Sequence, residues 1–393
     1  MICSKTELLG IVKQSNHVPF IRLFHYINPG GHFFIMAVKY PYKLDPKKRP
    51  VARRYARARI AGYLLNNIAV TIAFLYVFLQ VPLQGFAGTG GIAAYAFIFL
   101  TLLFAAQLPL RFYLTYVYEH KYGLSNYRMR GWAMDYLKGI ILAYVFTIPV
   151  ITALYLLTPL NNWWIYAGIG YFFANAFSNL IYPEVVTPFF YKLKPYNDRK
   201  HVTKILLMMK SAGVGGIKGI FVADESSKSK KPNAMFAGFG GTKRIVLFDT
   251  LLRAFSKDEV ETVIAHEIGH YVNRDVHRFI ILDTVKMFIM LFVIDSLAAF
   301  YGVSLTVQSL PFMMFVYVIM DFLAMPLINS YSRHREYKAD LFALRACKKK
   351  TAQISTEKRL ADMSLSHVPH PVIEMWFYSH PNFMKRIKMC EKS

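Results

Sequence analysis

The hydrophobic pattern divides this chain of 393 residues into long apolar stretches around one mixed interval. No charged residue occurs from 60 to 110, and the glycine-rich break at 84–91 splits that run into two stretches, near 62–83 and 92–110. Each is about long enough for a ~30 Å hydrocarbon layer. Charge is absent again from 139 to 183, with a break at 159–162 (PLNN), which predicts spans near 139–158 and 163–182. A third pair follows at 279–301 and 307–328. This last pair carries Asp283, Lys286, Asp295 and Asp321. Charges at that depth face a bundle interior or a water-filled cavity, unless Asp283 and Lys286 form a local pair near a helix end.

The period changes between 184 and 278. Residues 198–212 alternate as a helix, whereas 217–223, 233–239 and 244–248 alternate as strands, with a flexible Ser/Lys loop at 226–232. A further helix begins at Lys257. Ser256 is its N-cap, Glu259 completes a capping box, and Val260, Val263, Ile264, Ile268 and Val272 form its apolar stripe. The tail, 330–393, is polar and mostly helical. The expected fold is mainly α: a polytopic bundle of about six transmembrane helices with a cytosol-facing α+β unit. Its parts are a basic N-terminal cytoplasmic segment (1–60), four spans with a cytoplasmic loop (61–183), the α+β unit (184–278), two spans (279–329) and a C-terminal part of that unit (330–393). Within the first part, Pro29-Gly30-Gly31 predicts a turn, and residues 32–36 (HFFIM) are too short to span and are placed at the interface.

Charge adds a direction. The formal net charge is +24 although apolar residues make up 55%, which fits a membrane protein and not a nucleic-acid binder. Lys43, Lys47, Lys48, Arg49, Arg53, Arg54, Arg57 and Arg59 crowd the start of the first span, whereas the loops at 84–91, 159–162 and 302–306 hold no Lys or Arg. Both termini and the α+β unit therefore fall on the cytoplasmic side. No cleavable signal peptide is evident in the first twenty residues. Cys3, Cys347 and Cys390 are too scattered for a disulfide framework or a thiolate metal site.

Chemistry concentrates in residues 265–275, AHEIGHYVNRD. His266 and His270 stand at i and i+4 of the predicted helix, so both imidazoles reach one metal ion, with Glu267 beside them as a general base. Two histidines at this spacing suit Zn2+. A catalytic zinc needs a third protein ligand, and residues 329–340 (NSYSRHREYKAD) are the best source. Glu336 and Asp340 share a helical face there, Glu336 as ligand and Asp340 as an acceptor that orients a histidine.

The combination resembles the integral-membrane zinc metalloproteases of the type 1 CAAX prenyl protease family, with HtpX-like proteases as a neighbouring branch. The resemblance rests on EHKYGLSN at 119–126, Tyr182-Pro183, Asn233-Ala234, RIVLFDTL at 244–251, the H-E-x-x-H helix, Ser332-Arg333-x-x-Glu336-x-x-Ala339-Asp340 and Ser379-His380-Pro381. It covers residues 115–390. It implies a gluzincin site with one zinc on His266, His270 and Glu336 and Glu267 as base. It also implies His380 and Arg333 supporting the reacting carbonyl, and an edge strand at Asn233, Ala234 and Phe236 that pairs with substrate backbone. The family has seven spans; six are legible here.

The expected activity is peptide-bond hydrolysis near the membrane by a zinc metalloendopeptidase, with the lipid bilayer and a peptide or membrane-protein substrate, prenylated or not, as partners. The rivals are quality-control cleavage of membrane proteins and a non-catalytic zinc-containing scaffold or transporter. The membrane would be the plasma membrane of a prokaryote or the endoplasmic reticulum of a eukaryote.

Overall fold

The computed structural model describes residues 40–80, 85–238 and 240–393. Cys3, the turn at Pro29, the apolar stretch 32–36, residues 81–84 and Phe239 lie outside the described residues. Among the described residues, a helix lies in each of the six expected spans: α1 (Lys48–Leu79), α2 (Gly88–Lys121), α3 (Met129–Leu157) and α4 (Trp163–Ile181), then two more after the mixed interval. Three of these four, with the last helix of the bundle, are long and apolar enough to cross a membrane by hydropathy alone. The α4 helix scores lower because Trp163, Trp164, Tyr166, Tyr171 and its asparagines replace aliphatic residues. Alpha1 starts well inside the basic cluster, so the change of polarity at residue 60 is not the end of an element. One π turn interrupts α1 at Leu65–Ala69 and another interrupts α2 at Tyr113–Val117.

The mixed interval supplies β1 (Leu193–Pro195), α5 (Arg199–Ser211), β2 (Gly219–Ala223), β3 (Ala234–Ala237), β4 (Arg244–Phe248) and the short α6 (Asp249–Ala254). The sheet order is β1-β2-β4-β3, with β2 and β4 parallel and both outer strands antiparallel. Beta3 is thus an edge. Against this sheet lies α7 (Lys257–Val272). Its capping box is complete, with Ser256 Oγ accepting from Glu259 N and Glu259 Oε2 accepting from Ser256 N. Ile205, Met209, Ile245, Leu247, Val260, Ile264 and Ile268 form the core of this unit.

Two long helices follow, α8 (Asp275–Phe300) and α9 (Leu310–Cys347). Leu75, Phe99, Leu103, Met287, Ile294 and Leu310 share a second, separate core. The charges in α8 tie helices together: Lys286 Nζ lies 3.0 Å from Asp321 and 3.6 Å from Asp283, and Trp163 Nε1 donates to Asp295 at 2.7 Å. Alpha8 is strongly apolar around them, but it carries three charged side chains, Asp283, Lys286 and Asp295, within that apolar run. Thr158 Oγ1 donates to Leu305 O, so the uncharged connectors after α3 and α8 meet at one end of the bundle. Helices α10 (Lys350–Met363), α11 (Pro371–Phe377) and α12 (Phe383–Lys392) complete the chain.

The Ser/Lys loop differs from its expected flexibility. The EHKYGLSN stretch clamps it: Asn126 N donates to Lys228 O, Lys230 N to Leu124 O and Asn126 Nδ2 to Ser226 O. Lys231 Nζ sits 2.9 Å from buried Glu119, and Lys228 Nζ 2.6 Å from Asp135. Its polar composition serves these contacts with the membrane helices, which local sequence alone does not reveal.

Candidate active site

Alpha7 carries His266, Glu267 and His270, while α9 carries Glu336 and Asp340. The two helices cross closely because Gly269 faces Ala339. A Cβ at 269 would stand 3.1 Å from Ala339 Cα and 3.2 Å from Phe342 Cβ, tighter than ordinary contact. Gly269→Val should therefore push the helices apart, costing about 1–3 kcal/mol of stability. Thermal unfolding, read beside bound metal, checks this; Gly269→Ala should fall between the two.

The crossing brings one ligand atom each of His266, His270 and Glu336 within 4.8 Å of one another. His266 Nδ1 lies 2.8 Å from Asp340 Oδ1, and His270 Nδ1 2.8 Å from Asp275 Oδ2. Each carboxylate takes the Nδ1–H and so leaves the Nε2 lone pair free. The two Nε2 atoms face each other at 3.1 Å, and each lies 3.3–3.4 Å from a Glu336 oxygen. Glu336 Oε2 is buried without a hydrogen bond. Two lone pairs and a carboxylate aimed at one point repel unless a cation lies between them, so this donor set fits a metal ion.

Electrostatics agree. Burial opposes charge on His266, but Asp340 and Glu336 outweigh it and hold the ring at about 9. Burial likewise opposes His270, which Glu336 and Asp275 hold well above its ordinary value. Glu336 stays far below the usual carboxylate range despite burial, because His380 and His270 attract its charge. The cluster favours positive charge at its centre.

A match to the model of peptidase family M48 spans residues 195–393, covering every residue of this cluster. The chain belongs to peptidase family M48. Residues 45–192 match the model described as CAAX prenyl protease N-terminal, five membrane helices; four long helices lie in that range here. Among relatives, CAAX prenyl protease 1 of Saccharomyces cerevisiae is 28% identical over 72% of this chain and 68% of its own. The CAAX prenyl protease 1 homolog of Oryza sativa subsp. japonica is 30% identical, with 72% and 69% covered. An uncharacterized metalloprotease of Bacillus subtilis, YhfN, is 27% identical, with 76% and 72% covered. In fold, the crystal structure of S. mikatae Ste24p is similar, with a TM-score of 0.76 over 91% of this chain and 92% of that one, at 22% identity. This M48 protein is a CAAX prenyl protease-like metalloprotease embedded in a membrane by its helices, a hydrolase that depends on a metal.

The remaining predicted residues fall around the M48 centre. His380 Nε2 is 3.1 Å from Glu336 Oε1, and its Nδ1 lies 2.9 Å from Ser379 Oγ. Arg333 stands behind His380 in the fold. Its Nη1 donates to the carbonyls of Glu374, Met375 and Tyr378, bracing the segment that leads to His380. Glu267 is half-buried beside the ligands, where its charge acts on His270 without forming a direct ion pair among the described residues. A cavity of about 320 Å³ opens beside His380 and runs to α1 and α2, past Tyr63, Arg59 and Arg111.

Four supporting residues escaped the sequence reading. Asp275, on His270, is itself held by Arg335 Nε at 2.5 Å. Its position five residues after His270, opening the next helix, is a usable signal. Arg386 Nε donates to Asp340 Oδ2 at 2.7 Å, and its Nη1 lies 3.0 Å from buried Glu357. Neither Arg386 nor Glu357 carries a local signal.

Beta3 lies at the sheet edge next to α7, with Phe236 packed 4.7 Å from Tyr271. Phe248 N donates to Asn233 O, so Asn233 and Met235 face β4 while the backbones of Ala234 and Phe236 face the open side. The Ala234 N–H is capped by Asn233 Oδ1.

Proposed function

We propose that this chain is a zinc endopeptidase that cuts lipidated or membrane-embedded polypeptides, prenylated ones included, at the cytoplasmic face. The observation that carries the reading is the pair of Nε2 atoms 3.1 Å apart beside a buried Glu336 oxygen that accepts no hydrogen bond. His266, His270 and Glu336 would hold the zinc, with Asp340 and Asp275 fixing the imidazoles. Zinc supplies Lewis acidity at this point when bound. Glu267 takes the proton of the attacking water and delivers it to the leaving amine. His380 offers Nε2–H to charge developing on the carbonyl oxygen, and Arg333 fixes the backbone that presents it. The cavity beside His380 receives the residues flanking the cut. The basic start of α1 and the uncharged outer connectors support a cytoplasmic site, in the plasma membrane of a prokaryote or the endoplasmic reticulum of a eukaryote.

The test is metal content together with cleavage of matched prenylated and unprenylated peptides. One zinc per chain is expected, and the His266→Ala, His270→Ala double variant should lose zinc and cleavage together. Full zinc occupancy in that variant would overturn the ligand assignment. Equal turnover of the two peptides would remove the lipid from the substrate.

Substrate backbone adds to the open side of β3. Ala234→Pro deletes the N–H on that side that Asn233 Oδ1 caps and that a substrate carbonyl would take over, and should raise KM several-fold with zinc content unchanged. Met235→Pro instead breaks the ladder to Val246 and should cost folding stability, so Ala234 is the cleaner probe.

A further inference from the structure

The segment 366–378 lies where α1 and α9 enter the membrane, and it shows an apolar face to the outside. Between residues 366 and 384 the one charged side chain is Glu374, which is buried against Asn382 and Lys385. On α11, Val372, Met375 and Trp376 stand at i, i+3 and i+4 and share one face. Trp376 packs 5.2 Å from Phe322, inside the last span, and Phe377 packs on both Phe322 and Tyr63, at the start of the first apolar run. The rest of the face is open, with Val368 53%, Val372 54% and Met375 41% exposed. At the other end, His367 feels the charges of Arg53, Arg57 and Arg49 in the juxtamembrane part of α1. Arg53 and Tyr63 are ten residues apart, or ~15 Å along the helix. The segment therefore runs from headgroup level to the edge of the hydrocarbon, and two independent helices give it the same depth. On α9, next to the Phe322 that Trp376 packs against, Leu323 and Leu327 are exposed too.

We propose that residues 368–377 rest in the interfacial layer of the bilayer, with Val368, Val372 and Met375 in contact with lipid, and that this contact positions His380. The transmission is short. Asn329 Nδ2 donates to Trp376 O, Arg333 holds the carbonyls of Glu374, Met375 and Tyr378, and His380 follows two residues later. An aromatic residue at the membrane boundary flanked by aliphatic side chains is what such a layer takes up. The positioning half rests on the role given to His380 above; the depth does not.

Depth is measured on the full chain in bilayer nanodiscs. Nitroxide labels are placed at Val372→Cys and Met375→Cys after Cys3, Cys347 and Cys390 are changed to serine. Collision with oxygen should exceed collision with a water-soluble nickel chelate, as for Leu327→Cys and unlike Lys392→Cys. Should the serine background fail to fold, the Trp376 fluorescence, taken as wild type minus Trp376→Phe, should be quenched at least two-fold by lipid brominated on its acyl chains. Labels open to the nickel chelate, or an unquenched Trp376, overturn the lipid contact. Protection from both collision partners assigns the face to another protein chain and equally overturns it. For the second half, Val372→Asp with Met375→Asp should lower kcat at least ten-fold in nanodiscs at unchanged zinc content and KM. Wild-type kcat in that variant overturns the positioning of His380 while leaving the depth result standing.

Discussion

Glu267→Gln should keep its metal and its peptide affinity and lose turnover. The amide has nearly the size and shape of the carboxylate but cannot accept the water's proton. General acid–base catalysis contributes about 10²- to 10⁴-fold, so kcat should fall by that factor. Glu267 is half-buried and ties nothing together among the described residues, so the loss should come with no change in melting temperature. A residual kcat within a few-fold of wild type moves the base elsewhere. Metal analysis on the same preparation separates this outcome from simple loss of the site.

Arg386→Met should be the most damaging substitution outside the ligands. Arg386 stands between Asp340 and Glu357, both almost wholly buried. Burial alone would raise the Asp340 carboxyl, yet Arg386 outweighs it and holds the group down at about 2; Glu357, where burial dominates, is pushed up to about 7. Removing the guanidinium leaves two buried carboxylates facing each other, a loss of about 3–5 kcal/mol. Asp340 has a depressed folded-state pKa. Its contribution is therefore fully present above the ordinary carboxylate value near ~4 and fades as pH falls toward about 2. In the variant this contribution is missing at neutral pH. Without Arg386 nothing fixes the Asp340 carboxylate against His266, and metal affinity should drop about 10- to 100-fold. Chelator competition at two pH values measures it.

Most of the frame is legible in residue order. Uncharged runs mark the spans, and the i, i+4 histidines, the Ser256–Glu259 box and the Glu336–Asp340 pair follow from helical geometry. Strands β2, β3 and β4 are visible as alternating runs, whereas the three residues of β1, ending at Pro195, are too few for any period. What escapes is non-local. Arg386 meets Asp340 across 46 residues and Lys231 meets Glu119 across more than a hundred, so no window along the chain contains both partners. The contacts of Arg333 are hidden for the same reason: its guanidinium meets carbonyls of a segment forty residues further on.

Alpha9 is one unbroken helix from membrane to metal centre, and it makes the protein a ruler. Glu336 stands eight residues past Ile328, where the apolar run ends. At ~1.5 Å per residue that is about 12 Å above the hydrocarbon for a helix along the bilayer normal. An extended substrate advances about 3.3 Å per residue. A chain leaving the lipid must therefore pay out about four residues before a peptide bond reaches Glu267. For the membrane-held substrates proposed above, the place of the cut would then follow distance from the membrane, a constraint that adds to whatever the substrate sequence requires.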